Sequence, residues 1–152
     1  MFTSTATVHV IPNPIKINSE TTCLITATAD EELARYYRHV ANQALHIGLL
    51  KPSWNAHITI SKINPFVPME FDKKEITFHY EGLIRYSGDN PIPNPTENWE
   101  RKKGLFWFID VYSDDIREIR KSLGLPDFEK FHLTIGILQK SVDVSRKFAY
   151  YV

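Results

Sequence analysis

Phe131-His132-Leu133-Thr134-Ile135-Gly136-Ile137 decides how this 152-residue chain is read, together with its earlier echo Asn55-Ala56-His57-Ile58-Thr59-Ile60-Ser61. Successive side chains of a β-strand point to opposite faces, so His132 and Thr134 share one face while Leu133 and Ile135 share the other. His57 and Thr59 repeat the arrangement over Ile58 and Ile60. Each strand is expected to rest on the core through its aliphatic face and to carry an imidazole and a hydroxyl towards a cleft. Six His and eleven Thr scattered over the chain would give about 0.4 His-x-Thr triplets by chance. Two copies, each with an aliphatic middle residue, an Ile after the Thr and an aromatic shortly before (Trp54, Phe131), make a repeated motif.

The same order of elements precedes each motif. Residues 22–28 are rich in β-branched side chains, and Asp30-Glu31-Glu32 then places acids where the first turn of a helix favours them. Leu33, Tyr37, Val40, Ala44 and Ile47 follow at helical spacing with Gly48 as a stop, which leaves Arg35, Arg38, His39, Asn42 and His46 on a solvated side. Residues 105–112 read as an apolar strand, Ser113-Asp114-Asp115 as a helix cap, and Ile116, Ile119 and Leu123 as one helix face ended by Gly124 and Pro126. Strand, acid-started helix and His-x-Thr strand thus occur twice. The expected fold is α+β: a duplicated βαβ half, with a pseudo-twofold axis turning both motifs into one central cleft.

Two further strands flank these halves. Residues 7–11 read as a short edge strand ended by Pro12-Asn13-Pro14, and residues 75–80 alternate Ile76, Phe78 and Tyr80 against Glu75, Thr77 and His79. The long irregular segment 87–103 suits a binding loop or lid as well as an ordinary connection, and residues 141–152 either pack over the site or fray.

Composition sets the class. With 43% hydrophobic and 24% charged residues, residues 1–152 fit one soluble globular domain. No apolar run or leader pattern suggests export or insertion, so an intracellular, cytoplasmic protein with no membrane partner is expected. The single Cys23 has no internal disulfide partner and reads as a buried small residue. Lys plus Arg and Asp plus Glu both total 18, so no net field attracts duplex nucleic acid, and a small anionic ligand held by local groups fits better.

Two imidazoles and two hydroxyls suit acid–base chemistry at a phosphate. One histidine takes a proton while the other gives one, and threonine hydroxyls donate to the non-bridging oxygens. The residues leave open which histidine plays which part. HExxH, CxxC, a glycine-rich phosphate loop and a G-x-S-x-G elbow are all absent from the sequence, so neither metal nor cofactor is expected. Trp54, Tyr86, Trp99 and Tyr150 are candidates to stack on bases, and Lys140 is a candidate for a second phosphate.

His57-Ile58-Thr59 and His132-Leu133-Thr134 in two βαβ halves resemble the two-histidine (2H) phosphoesterases, over most of the chain from residue 22 to 140. Size and motif surroundings are further similar to the phage anti-CBASS nucleases, which destroy host cyclic-nucleotide alarm signals. The resemblance implies a two-lobed fold with antiparallel sheets facing a cleft, the lobes spanning roughly 20–80 and 104–140. It implies a monomer that cleaves 3′,5′ bonds of cyclic di- and trinucleotides without metal, through a 2′,3′-cyclic phosphate. Carried over by position, His57 and His132 would be the acid–base pair, and Thr59 and Thr134 would clamp the phosphate. Processing of RNA ends bearing 2′,3′-cyclic phosphate or 2′,5′ linkages, and sequestration of a nucleotide without cleavage, are the alternatives.

Overall fold

The alternation that marks the two His-x-Thr segments runs through most of the sheet. The computed structural model describes residues 1–12, 23–52, 54–62, 67–87 and 106–137. Along the chain these form β1 (Phe2–Pro12), β2 (Cys23–Thr28), α1 (Glu31–Leu45), β3 (His57–Ser61), a 3-10 turn (Met69–Phe71), β4 (Glu75–Tyr86), β5 (Phe106–Tyr112), α2 (Asp114–Ser122) and β6 (Phe131–Ile137). The protein is α+β, and every strand pair is antiparallel.

The strands close into a ring in the order β1-β2-β3-β6-β5-β4. Reading it from β1 gives three consecutive strands and then the next three in reverse, the order a twofold axis produces when two three-stranded halves meet at β3–β6 and at β1–β4. The strand–helix–strand repeat therefore appears as β2-α1-β3 and β5-α2-β6. In this ring β4 lies between β5 and β1.

One face of the ring is the core. Val8 sits across from Ala27, Ala27 from Ile58, Ile58 from Leu133 and Leu133 from Ile109, so one apolar layer crosses five strands, and each of these residues is fully buried. A small barrel fills its interior with such side chains. Burying an Ile or Leu fully is worth about 1.5–3 kcal/mol relative to exposure, which fixes register, because a one-residue slip would turn Ile58 out and His57 in.

Three expectations change. The strand at 7–11 is eleven residues long and is no edge, since it pairs with β2 on one side and β4 on the other. Its inward residues Ala6, Val8 and Val10 are small, which hid its length from hydropathy. Of the apolar stripe expected on α1, Leu33 and Tyr37 pack against the core and Ile47 is buried beyond the helix end, but Ala44 is exposed, and the fully covered helical positions are Ala34 and Ala41. It ends at Leu45 with His46 left-handed (φ 52°, ψ 43°), ahead of Gly48. Helix α2 matches its reading. Ser113 Oγ accepts the Ile116 N–H at 3.1 Å, Ile116 and Ile119 are buried, and Gly124 takes the left-handed turn (φ 72°) that only glycine adopts without cost. Cys23 is buried. Among the described residues no helix is long and apolar enough to cross a membrane.

Candidate active site

Both motifs lie on the strand faces turned away from the core, and β3 meets β6 with Ile58 opposite Leu133. In an antiparallel ladder that register sets His57 across from Thr134 and Thr59 across from His132. The flanking strands extend these rows: Thr28 is opposite His57 and Thr26 opposite Thr59 on β2, while Phe108 is opposite Thr134 and Asp110 opposite His132 on β5. The two imidazoles occupy one diagonal and the two hydroxyls the other. Diagonal positions of such a ladder are spaced by about 7–8 Å, a gap that a phosphate and its two ester oxygens can bridge.

The imidazoles are held differently. His57 Nδ1 lies 2.8 Å from the Asn55 carbonyl oxygen, which can only accept, so Nδ1 carries the proton and Nε2 is left for a ligand. The Trp54 ring stands edge-on to His57 at 6.1 Å and is 57% exposed, with a free face beside the site. His132 is wedged between aromatic rings, stacked on Phe106 at 5.9 Å and edge-on to Phe108 at 5.5 Å. Burial lowers its pKa from the ordinary 6.5 to about 4, and the nearby charges of Lys62 and His57 push the same way. Asp110, which pairs with Arg85 at 2.7 Å and Lys130 at 3.5 Å, pushes the other way without offsetting the burial. His132 is therefore neutral at pH 7.

Each helix crosses to the strand of the other half. On α1, Arg38 Nη1 donates to the Ile135 carbonyl at 3.0 Å; on α2, Arg120 Nη1 donates to the Ile60 carbonyl at 2.7 Å. Both carbonyls lie three residues after a motif histidine, so the two arginines are equivalent under the pseudo-twofold. Gly136 permits the close approach of the segment that follows α1: a Cβ there would stand 2.8 Å from Leu49 Cβ, with Arg38 Cδ at an ordinary contact distance of 3.4 Å. Glu31 Oε1 accepts the Ala56 N–H at 2.6 Å and ties the start of α1 to the residue before His57. Arg38, Glu31, Trp54, His57 and Thr134 line one depression.

Comparison with protein-family models, curated proteins and solved structures returns no match.

Of the residues singled out from sequence, His57, Thr59, His132 and Thr134 come together on one face, with Trp54 at its rim. Tyr86 does not join them; its ring packs on Trp107 at 4.5 Å, against the core. Trp99, Lys140, Tyr150, the tail 141–152 and the segment 87–103 beyond Ser87 lie outside the described residues. Sequence reasoning missed Thr26, Thr28, Asp110, Lys62, Glu31 and Arg38. The alternation Thr26-x-Thr28 in a β-branched run was a usable signal for the first two. Arg38 was assigned to the solvated side of α1, because apolar periodicity does not register a charged side chain satisfied by a backbone carbonyl. Among the described residues, no cluster of three or more His, Cys, Asp or Glu is placed to hold a metal.

Proposed function

We propose that the chain is a two-histidine phosphodiesterase of the two-lobed 2H type, cutting 3′,5′ bonds of cyclic di- and trinucleotide signals without metal. The observation that carries the reading is the Ile58–Leu133 register, which sets one imidazole and one hydroxyl of each half diagonally across a shared phosphate-sized gap. The exposed Trp54 face beside His57 favours a nucleotide over inorganic phosphate, since an aromatic face accepts any base. A phage protein acting as a monomer in the host cytoplasm against such alarm signals fits the motif resemblance.

His132, neutral at pH 7, is the base of the first step; it takes the proton of the ribose 2′-OH as that oxygen attacks phosphorus. His57, protonated, keeps its Nδ1–H bond to Asn55 and gives its Nε2 proton to the departing 5′ oxygen. The P–O2′ bond forms, the P–O5′ bond breaks, and a 2′,3′-cyclic phosphate results. Water then adds to phosphorus with the roles exchanged: the P–O2′ bond breaks and a 3′-phosphate is released. Thr59 and Thr134 donate to the non-bridging oxygens as charge builds on them.

Incubation with 3′,3′-cyclic dinucleotides in excess chelator tests the reading, and turnover is expected. Intact ligand bound at stoichiometry would indicate sequestration, and preference for linear 2′,5′ or 2′,3′-cyclic RNA ends in direct competition would indicate end processing. The base assignment has its own readout. Because the free enzyme holds the pKa of His132 at about 4, the acidic limb of kcat/KM is expected near pH 4. A limb near the ordinary 6.5 would move the base role away from His132.

A further inference from the structure

We infer that Arg38 is a third phosphate-binding group, supplying a full positive charge to the anion held between His57 and Thr134. The inference rests on the phosphodiesterase reading and deepens it. Arg38 lies on the covered face of α1 between Ala34 and Ala41, with its stem over Gly136, two residues beyond Thr134 where the β5–β6 register shifts. It lines the same depression as His57 and Thr134. A guanidinium has five N–H donors, and Arg38 commits one, to Ile135. The acid in the depression, Glu31, is bonded to the Ala56 amide, and among the described residues no carboxylate pairs with Arg38.

The pseudo-symmetric arginine is an internal control. Arg120 donates through Nη1 to Ile60, and through Nε and Nη2 to the Pro126 carbonyl at 3.0 and 2.9 Å. Its plane is covered by the Phe128 ring at 4.1 Å. All three guanidinium nitrogens of Arg120 donate to protein carbonyls, whereas Arg38 donates to Ile135 from Nη1 and lines one depression with His57 and Thr134. A partly buried guanidinium without a carboxylate carries a desolvation cost that a bound anion offsets, and its planar fork matches two phosphate oxygens. Arg38 thereby neutralises charge on the non-bridging oxygens that the Thr hydroxyls reach only as neutral donors.

The test compares binding of adenosine 3′-monophosphate and of adenosine, by calorimetry at low salt, in wild type, Arg38→Gln and Arg38→Lys. Glutamine keeps a donor for the Ile135 carbonyl and removes the charge, while lysine keeps the charge and loses the fork. Affinity for the monophosphate is expected to fall in the order wild type, Lys, Gln, with Gln at least ten-fold weaker, and adenosine affinity is expected to stay constant. Wild type binding the monophosphate no better than adenosine, a Gln variant matching wild type, or proportional loss for both ligands would each overturn the inference. Should Arg38→Gln not fold, the Lys variant decides by the same comparison. Failure of the phosphodiesterase reading is seen separately, as wild-type protein that binds the monophosphate through Arg38 yet leaves cyclic dinucleotides uncut.

Discussion

Replacing either His57 or His132 by alanine is expected to lower kcat for a cyclic dinucleotide by about 10²- to 10⁴-fold, the usual contribution of a positioned acid or base. The double variant should fall little below the worse single one, because a proton taken on one side of the phosphate is of use only when one is delivered on the other. The diagonal placement of the imidazoles is the structural reason, since neither strand carries both functions. His39, exposed on α1, is the control, and His39→Ala should retain full activity. Single-turnover rates on the four variants and wild type check this. An active His57→Ala, His132→Ala double variant would remove the two-histidine mechanism altogether.

The largest effect on stability is expected at Arg120, which is 6% exposed and joins α2 to β3 and to the turn before β6. Arg120→Met keeps the stem and removes three donated bonds, leaving the Ile60 and Pro126 carbonyls short of partners. The buried Ile60 carbonyl left unsatisfied costs about 1–3 kcal/mol, and the two part-buried bonds to Pro126 contribute about 0.5–1.5 kcal/mol each, so a loss of about 3 kcal/mol is expected. At this chain size that corresponds to a fall of roughly 6–12 °C in Tm, read by circular dichroism or calorimetry. Burial lowers the pKa of this guanidinium, although it stays charged at every pH of interest, so the effect should hold across the working range. A change in Tm within about 1 °C would mean that the bridge between the halves is not structural.

The two motif strands were legible because burial and alternation coincide in them: Ile58, Ile60, Leu133 and Ile135 are all but fully buried, and the residues between them carry the chemistry. Helix α2 was legible through its cap and its closing glycine. The closure of the ring was not, because it depends on β1 and β4, whose signals are weak for separate reasons. β1 faces the core with alanine and valine. β4 continues past Tyr80 through Gly82 (φ 77°), where its register with β5 shifts, and glycine reads as a strand end in sequence. Arg38 and Arg120 illustrate a second limit. Their positions are set by single backbone carbonyls on strands distant in sequence, and no local pattern encodes such a bond. Tyr86 illustrates a third: an aromatic at a strand end is equally a stacking platform or a core residue until the neighbouring strand supplies Trp107.

The central claim is attack by the neighbouring 2′-OH between two histidines, and the end groups of the product test it most directly. A 3′,3′-cyclic dinucleotide incubated with excess chelator and followed by ³¹P NMR should give a linear product ending in 2′,3′-cyclic phosphate, converting with time to 3′-phosphate. A product carrying a 5′-phosphate from the outset, or a ligand recovered uncut, would contradict the account.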